Sequence, residues 1–169
     1  MTRLKATLVA FVLLAAAPAI AMPRPGQPAP QVAAPLLDGG TFDLAKARGK
    51  VVVLSFWATW CAPCRTEMPI LDAAARAHLG EGLQVVGLSV DRLKARPDVE
   101  RVAAGVSYPS GLALEASVNG FGAPRALPQT FVIDRHGVVR ATFGVFGEPV
   151  TATGLEAVLR PLLAQDSAR

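Results

Sequence analysis

The chain has 169 residues, of which 51% are hydrophobic, and this length predicts one domain with a substantial hydrophobic core. The formal net charge is +4, but the basic residues are scattered and no pattern of alternating aromatic and basic side chains accompanies them. Composition and charge therefore argue against nucleic acid as a partner and favour proteins.

Residues 1–21 have the three parts of a signal peptide. A short positive segment (MTRLK) precedes an apolar run, and Ala19-Ile20-Ala21 forms a small-residue cleavage site. The apolar run is short for a membrane span, which needs about 20 residues, although an uncleaved N-terminal anchor stays an alternative. Export predicts an oxidising compartment such as a bacterial periplasm.

The first half of the exported chain predicts a strand, a helix and a second strand. Residues 22–35 are a Pro-rich lead-in, and residues 36–166 are predicted to form the folded domain. Asp38–Gly40 is typical of a hairpin turn. Val51–Phe56 is apolar on both faces, as is a second segment at Gln84–Val90, and both are typical of buried strands. A helix is predicted between them, from about Cys61 to Leu79.

The second half predicts a short helix, a hairpin and a closing helix. The short helix begins with Pro97, and Thr130–Asp134 is predicted to pair with Val138–Phe143 across a turn. The segment LEAVLRPLLAQ has the apolar stripe of an amphipathic helix. The order of elements therefore predicts an α/β fold, with a mixed sheet and helices on both faces.

The two cysteines of the chain, Cys61 and Cys64, lie in the stretch FWATWCAPCRTEMP. A structural disulfide between them would close a loop worth only roughly 2 kcal/mol, against about 3 kcal/mol for a 15-residue loop. A zinc site would need two more ligands, and His78 and His136 lack the usual spacing. No metal and no cofactor is therefore expected.

The third interpretation is a redox-active dithiol. Cys61 lies where a buried strand meets a helix, so the first-turn amide groups favour its thiolate. Pro63 fits the first helical turn, where its missing N–H is not needed. We expect Cys61 to be exposed and nucleophilic and Cys64 to be buried one turn further along, so that Cys61 attacks a disulfide and Cys64 resolves the mixed disulfide.

WCAPC at a strand-to-helix turn resembles the thioredoxin fold. The pair FWATWCAPCRTEMP and ALPQTFVIDRHGVV, in this order, is more specifically similar to the TlpA/ResA/CcmG family of exported thioredoxin-like proteins. The resemblance implies a thioredoxin-like domain with an N-terminal hairpin and a central insertion. It also implies a cis bond between Leu127 and Pro128, in a loop that lies against the dithiol and offers its backbone to a substrate peptide; an ordinary trans proline is the alternative.

Trp60, Pro63, Leu127 and Pro128 are accordingly the candidate substrate-binding residues, with Trp60 also able to shield Cys61. Trp57 is expected in the core instead.

Glu67 is the third candidate catalytic residue. It follows Cys64 by three residues and so shares its helix face, where burial would raise its pKa. Such a carboxyl group could take the proton of Cys64 during resolution, and the resemblance implies a functional acid at this position. Thioredoxin has a buried aspartate in the preceding strand, where this chain has Ser55. A solvated glutamate near the helix N-terminus is the alternative.

The segment 91–125 is longer than the matching part of thioredoxin, and the family has an insertion there. It could be a helix and strand that cover the sheet, or a surface that selects partners beside the dithiol. The sequence leaves both interpretations open.

The direction of electron flow is predicted to be reducing. The residues between the cysteines are Ala62 and Pro63, whereas DsbA-like oxidases carry a histidine there. A disulfide oxidase and a redox-inert binding module or holdase are the alternatives. A peroxiredoxin is disfavoured because its isolated peroxidatic cysteine and Pro/Thr pattern are missing. The resemblance implies a membrane-embedded dithiol electron donor and disulfides of exported proteins, often apocytochrome c, as substrates. A monomer is expected.

Overall fold

A computed structural model of the protein describes residues 22–145 and 147–165. The predicted signal peptide lies outside them. Eight strands and three helices are present in the described parts. The strands are β1 (Val32–Pro35), β2 (Thr41–Asp43), β3 (Val51–Trp57), β4 (Leu83–Ser89), β5 (Ser110–Leu112), β6 (Val118–Asn119), β7 (Gln129–Ile133) and β8 (Val139–Gly144). The helices are α1 (Ala62–Ala77), α2 (Arg96–Ala103) and α3 (Ala152–Ala164). Across these residues, no helix is both long and apolar enough to cross a membrane.

The central sheet has five strands in the order β5-β4-β3-β7-β8. Strands β3, β4 and β5 run parallel, while β7 is antiparallel to both β3 and β8. Every residue of β3 is buried, because this strand lies in the middle of the sheet and is covered on both faces. The predicted mixed sheet is therefore confirmed.

One face of this sheet is covered by helices. Val51 and Val53 of β3 pack in a cluster with Leu71 of α1 and with Leu155 and Leu159 of α3. The apolar stripe of the closing helix is thus the surface that this helix buries.

The opposite face is covered by strands, so the expectation of helices on both faces is wrong. A second sheet in the order β2-β1-β6 lies there, and its Val32 and Phe42 pack in one cluster with Val52 and Leu54 of β3. The reason is the short hairpin turned by Asp38–Gly40, in which Gly39 adopts a φ of +87°. Alternate residues of β1 and β2 then form an apolar face, which covers the sheet where a helix was expected.

The segment 91–125 adds both secondary structure and a sheet edge. It contributes two single turns of 3₁₀-helix at Leu93–Ala95 and Ala113–Glu115, the helix α2, the edge strand β5, and the strand β6 of the second sheet. Asp72 of α1 holds this segment, because its carboxylate accepts hydrogen bonds of 2.6 Å from the backbone N–H and the hydroxyl of Ser107. The predicted extra helix and strand are both present.

Candidate active site

Cys61 lies at the junction between β3 and α1. It is the N-cap residue of α1, and its Sγ accepts a hydrogen bond of 3.2 Å from the backbone N–H of Cys64. The two cysteines form a disulfide, with their Cα atoms 5.3 Å apart. Pro63 lies in the first turn, as predicted. The sulfur of Cys61 is therefore in direct contact with the positive end of the helix.

The predicted difference in exposure between the cysteines is not present. Cys61 is 4% exposed and Cys64 is 2% exposed, so the expectation of an exposed Cys61 is wrong for the disulfide form. Both side chains belong to an apolar cluster that includes Trp57, Met68 and Leu112, and Leu127 packs against it. The disulfide keeps the Cys61 sulfur at the helix N-terminus and within this cluster, instead of leaving it in solvent.

The peptide bond between Leu127 and Pro128 is cis, as the family resemblance implied. Leu127 is partly buried and packs against the cluster that holds the disulfide. The carbonyl oxygen of Pro128 accepts a hydrogen bond of 3.3 Å from the N–H of Val145. Gly144, at a φ of +133°, lies so close to this carbonyl that a Cβ atom there would collide with it. The end of β8 therefore packs against the loop before β7 and fixes its position.

Glu67 is buried, with 7% of its surface exposed. Its Oε1 accepts a hydrogen bond of 3.2 Å from the N–H of Val150, whereas its Oε2 is buried without a hydrogen-bond partner among the residues described. Burial raises the pKa of the Glu67 carboxyl above its ordinary value, and the Val150 hydrogen bond opposes part of that rise. The solvated glutamate considered as an alternative is not what the fold contains.

Ser55 lies in β3 and is buried, as expected for the position where thioredoxin has an acid. It accepts a hydrogen bond of 3.0 Å from the hydroxyl of Thr130 on the neighbouring strand β7. The pair is neutral and satisfied, so it supplies no group that could accept a proton from Cys64.

Asp91 is a buried carboxylate beside the dithiol that the sequence analysis did not identify. One of its oxygens accepts from the backbone N–H of Thr59 at 2.8 Å and from the hydroxyl of Ser89 at 2.7 Å, and the other accepts from the hydroxyl of Thr59 at 2.8 Å. These bonds fix the loop that ends at Cys61.

The register of two parallel strands contains a signal for this contact. Trp57 pairs with Ser89 across β3 and β4, so the residues two positions later, Thr59 and Asp91, leave the sheet side by side. A Ser-x-Asp sequence at the carboxyl end of the strand next to the cysteines could have identified the contact.

The two tryptophans differ as predicted. Trp57 is 1% exposed and lies in the apolar cluster, whereas Trp60, the residue before Cys61, is 70% exposed. Arg65 in the first turn of α1 is exposed too.

The histidines lie away from the dithiol. His78 follows the C-terminal end of α1 as its C-cap residue. The structure adds two carboxylates, because Nδ1 lies 2.8 Å from Glu81 and Nε2 lies 3.0 Å from Glu156 of α3. Burial opposes protonation of His78, but these two partners hold its pKa above the ordinary value.

Comparison with known proteins agrees with this geometry. Residues 25–142 match the AhpC/TSA family. The thiol-disulfide oxidoreductase ResA of Geobacillus thermodenitrificans is 32% identical over 116 residues, which are 68% of this chain and 66% of that relative. The chain belongs to the AhpC/TSA family.

Solved structures with this fold are also similar. A thiol:disulfide interchange protein of the thioredoxin family from Chlorobium tepidum is 27% identical with a TM-score of 0.67, covering 85% of this chain and 99% of that one. A secreted thiol-disulfide isomerase from Corynebacterium glutamicum is 26% identical with a TM-score of 0.66, covering 81% and 86%.

The predicted resemblance to ResA-type thioredoxin-like proteins is confirmed, and thiol–disulfide exchange is the activity for which these relatives are named. The matched part of this chain spans about two thirds of the ResA relative, so the substrates and partners of that protein are considered below as proposals.

The buried Glu67 carboxyl predicts a pH-dependent stability of the disulfide form. Because its pKa is raised on folding, the folded state favours the protonated acid, and stability is lost as the pH rises from about 4 through the raised pKa. Glu67→Gln removes the ionisation, so the wild type should lose stability relative to this variant over that range. Above the raised pKa, the difference in unfolding free energy between the two proteins should stay constant. The total change from pH 4 should be about 1.4 kcal/mol for each unit by which folding raises the pKa of Glu67.

The measurement is the free energy of unfolding by urea, taken for both oxidised proteins from pH 4 to pH 8. Glu148→Gln is the matched control, because Glu148 is exposed in the segment between β8 and α3. A difference between wild type and Glu67→Gln that does not change with pH would contradict a raised pKa.

Proposed function

We propose that this protein is an exported protein-disulfide reductase, in which Cys61 attacks the substrate disulfide and Cys64 resolves the mixed disulfide. The observation that carries the proposal is the Cys61–Cys64 disulfide at the N-terminus of α1, with the buried Glu67 one turn further along. In the disulfide, the Cys61 sulfur accepts a hydrogen bond from the backbone N–H of Cys64. The same N–H group would stabilise a thiolate at Cys61 in the reduced protein.

The reaction transfers two electrons to the substrate. In the reduced protein the Cys61 thiolate forms a bond to one substrate sulfur, and the substrate S–S bond breaks to release the other sulfur as a thiolate. Cys64 then gives its proton to the Glu67 carboxylate and attacks Cys61 Sγ. The Cys61–Cys64 bond forms as the bond between Cys61 and the substrate sulfur breaks, and that sulfur leaves as a thiolate that then takes up a proton.

Glu67 suits the second step for a physical reason. It lies three residues after Cys64, so the two side chains share one face of α1. Its Oε2 has no hydrogen-bond partner among the described residues. Burial raises the pKa of the carboxyl, which brings that pKa closer to the pKa of a thiol. A carboxylate in this state accepts a proton more readily than a solvated one.

Trp60, Pro63, Leu127 and Pro128 are proposed to bind the substrate. Trp60 is exposed beside Cys61, and Leu127 packs on the cluster that holds the disulfide. A substrate segment that crosses this surface would bring its own disulfide to the Cys61 sulfur, which becomes accessible when the Cys61–Cys64 bond opens.

The reducing direction rests on Ala62 and Pro63, which place no side-chain hydrogen-bond donor between the cysteines. Stabilisation of the thiolate makes the disulfide form more oxidising. Because only the N–H groups of the helix would stabilise the Cys61 thiolate, a reductase is favoured. A disulfide oxidase is the second candidate, because the predicted export leads to a compartment where disulfides persist.

Export rests on residues 1–21, and the secreted isomerase of similar structure is consistent with it. A reductase in an oxidising compartment needs a source of electrons, for which we propose a membrane-embedded dithiol donor. The substrates would be disulfides of exported proteins, with apocytochrome c as one candidate. The folded domain is proposed to begin before residue 36, within the predicted Pro-rich lead-in of residues 22–35, because Val32 and Ala34 of β1 are buried in its core. It is proposed to act as a monomer.

Trapping of the mixed disulfide tests the order of attack. Insulin, which contains disulfides, is the probe. Cys64→Ser should accumulate a covalent mixed disulfide with insulin, because Cys61 still attacks and no second cysteine is present to resolve the adduct. Cys61→Ser is the matched control and should form almost none. Intact mass under non-reducing conditions measures both. Turnover of insulin disulfides by Cys61→Ser at the wild-type rate would exclude the proposed exchange.

The role of Glu67 is tested by the rate of resolution as a function of pH. Glu67→Gln should slow resolution on the order of 100-fold at pH 7, which is the size expected for loss of one general base. The wild-type rate should rise as Glu67 ionises, through a pKa above the ordinary value, and the variant should lack that step.

Stopped-flow tryptophan fluorescence during resolution of a preformed mixed disulfide measures this rate, with Glu148→Gln as the control. The same pH profile in wild type and Glu67→Gln would remove Glu67 from the mechanism while leaving the cysteine chemistry intact.

A further inference from the structure

The turn that ends at Cys61 lies just beyond the end of the central sheet. Strands β3 and β4 pair as far as Trp57 and Ser89, and the N–H of Val90 still donates to the carbonyl oxygen of Trp57 at 2.9 Å. The chain then leaves the sheet, and a hydrogen bond of 3.1 Å from the N–H of Cys61 to the carbonyl oxygen of Ala58 closes the turn. The backbone pairing of the sheet therefore stops before it reaches the reactive cysteine.

The side chain of Asp91 connects this turn to β4 where the backbone pairing stops. Its Oδ2 accepts from the N–H of Thr59 at 2.8 Å and from the hydroxyl of Ser89 at 2.7 Å, and its Oδ1 accepts from the hydroxyl of Thr59 at 2.8 Å. The N–H of Asp91 donates in turn to the Ser89 oxygen at 3.0 Å. Asp91 is 4% exposed and Ser89 is fully buried, so water competes little for these bonds.

The position of Cys61 depends on both the disulfide and this turn. Its sulfur is bonded to Cys64 and accepts a hydrogen bond of 3.2 Å from the N–H of that residue. The proposed reaction opens the S–S bond in every cycle, and the sulfur then keeps its place only if the backbone before it does. The bonds of Asp91 involve neither sulfur atom, so opening the disulfide does not break them.

We propose that Asp91 is a positioning residue for the dithiol, which acts through Thr59 to keep the Cys61 thiolate at the N-terminus of α1 when the disulfide opens. The proposal rests on the thiol–disulfide exchange proposed above and adds to it a residue that acts without touching the substrate. Correct placement matters because a misplacement of about 1 Å can slow a reaction on the order of 100-fold.

A buried carboxylate could also act on Cys61 through its charge, and this effect has the opposite sign. Positioning at the helix N-terminus stabilises the thiolate, so its loss should raise the pKa of the Cys61 thiol. A nearby negative charge destabilises the thiolate, so its loss should lower that pKa. The pKa of the thiol in the reduced protein therefore distinguishes the two effects.

Two variants of Asp91 separate hydrogen bonding from charge. Asp91→Ala removes the charge and every hydrogen bond of the side chain. Asp91→Asn also removes the charge, but its amide oxygen can accept from the N–H of Thr59 and the hydroxyl of Ser89, and its NH2 group can donate to the Thr59 hydroxyl oxygen. A difference between these two variants reports on the hydrogen bonds alone.

Asp72→Ala is the matched control for loss of a buried carboxylate. Asp72 is 5% exposed and accepts from the N–H and the hydroxyl of Ser107, as Asp91 does from Thr59. It lies about 16 Å along α1 from Cys61, at 1.5 Å per residue. Its loss should lower stability without moving the turn.

The measurement is the rate at which iodoacetamide alkylates Cys61 in the reduced protein as a function of pH, with the modified cysteine assigned by fragment masses. The midpoint for Asp91→Ala should lie about one pH unit or more above that for Asp91→Asn, toward the ordinary thiol pKa of about 8.5. Asp72→Ala should have the wild-type midpoint.

The activity should follow the same order. The value of kcat/KM for reduction of insulin should fall on the order of 10-fold in Asp91→Ala because the sulfur is misplaced. Asp91→Asn should restore most of this loss, and Asp72→Ala should stay close to the wild-type value.

Thr59→Val replaces Asp91→Ala if the latter does not fold. It keeps the branched shape of the side chain and removes only the hydroxyl bond to Oδ1 of Asp91. The alkylation midpoint should then rise by a smaller amount, and a midpoint equal to that of the wild type would overturn the proposal.

Failure of this proposal differs from failure of the reductase function. Equal midpoints for Asp91→Ala and Asp91→Asn, or an equal rise in Asp72→Ala, would overturn the positioning role and leave the cysteine chemistry intact. A reduced wild-type protein that does not reduce insulin would overturn the reductase function, whereas the alkylation midpoints would still test the role of Asp91.

Discussion

The contact between the Cys61 sulfur and the first turn of α1 is the interaction on which the rest of the site depends. A helix leaves its first N–H groups without partners inside the helix, and here the N-cap residue that satisfies one of them is the cysteine itself. The same contact orients the sulfur and favours its negative charge. It requires that β3 end beside the helix start, which the fully buried strand ensures.

Two buried carboxylates act on this junction in different ways. Asp91 has its oxygens occupied by Thr59 and Ser89, and it holds the loop before Cys61 in place. Glu67 keeps one oxygen without a partner among the described residues, and burial raises its pKa. A carboxylate saturated with hydrogen bonds is suited to positioning, whereas an under-satisfied one is suited to proton transfer. The difference in hydrogen bonding therefore separates their proposed roles.

Much of this arrangement could be predicted from the sequence because it depends on local pattern. The apolar run Val51–Phe56, the cysteine pair and the helix after it lie together in the chain. The position of Glu67 follows from helical spacing. The cis bond before Pro128 needed the family resemblance as well, since a proline alone is usually trans.

What could not be predicted depends on contacts between distant segments. The burial of Cys61 requires Leu112 and Leu127, which the sheet and the Pro128 loop bring to the disulfide. The contact of Asp91 with Thr59 requires the register of β3 against β4. The second sheet covers the face where helices were expected, and its packing of Val32 and Phe42 against β3 is a tertiary contact that no local sequence pattern specifies.

The dithiol is proposed to give electrons to its substrate. The most direct test is the reduction potential of the Cys61–Cys64 couple, obtained by equilibrating residues 22–169 with dithiol buffers of defined potential and quantifying the two redox forms. A reductase that needs a dedicated electron donor predicts a value near that of thioredoxin, about −270 mV, or below. A value near that of DsbA, about −120 mV, would contradict the reducing direction and assign the protein as a disulfide oxidase.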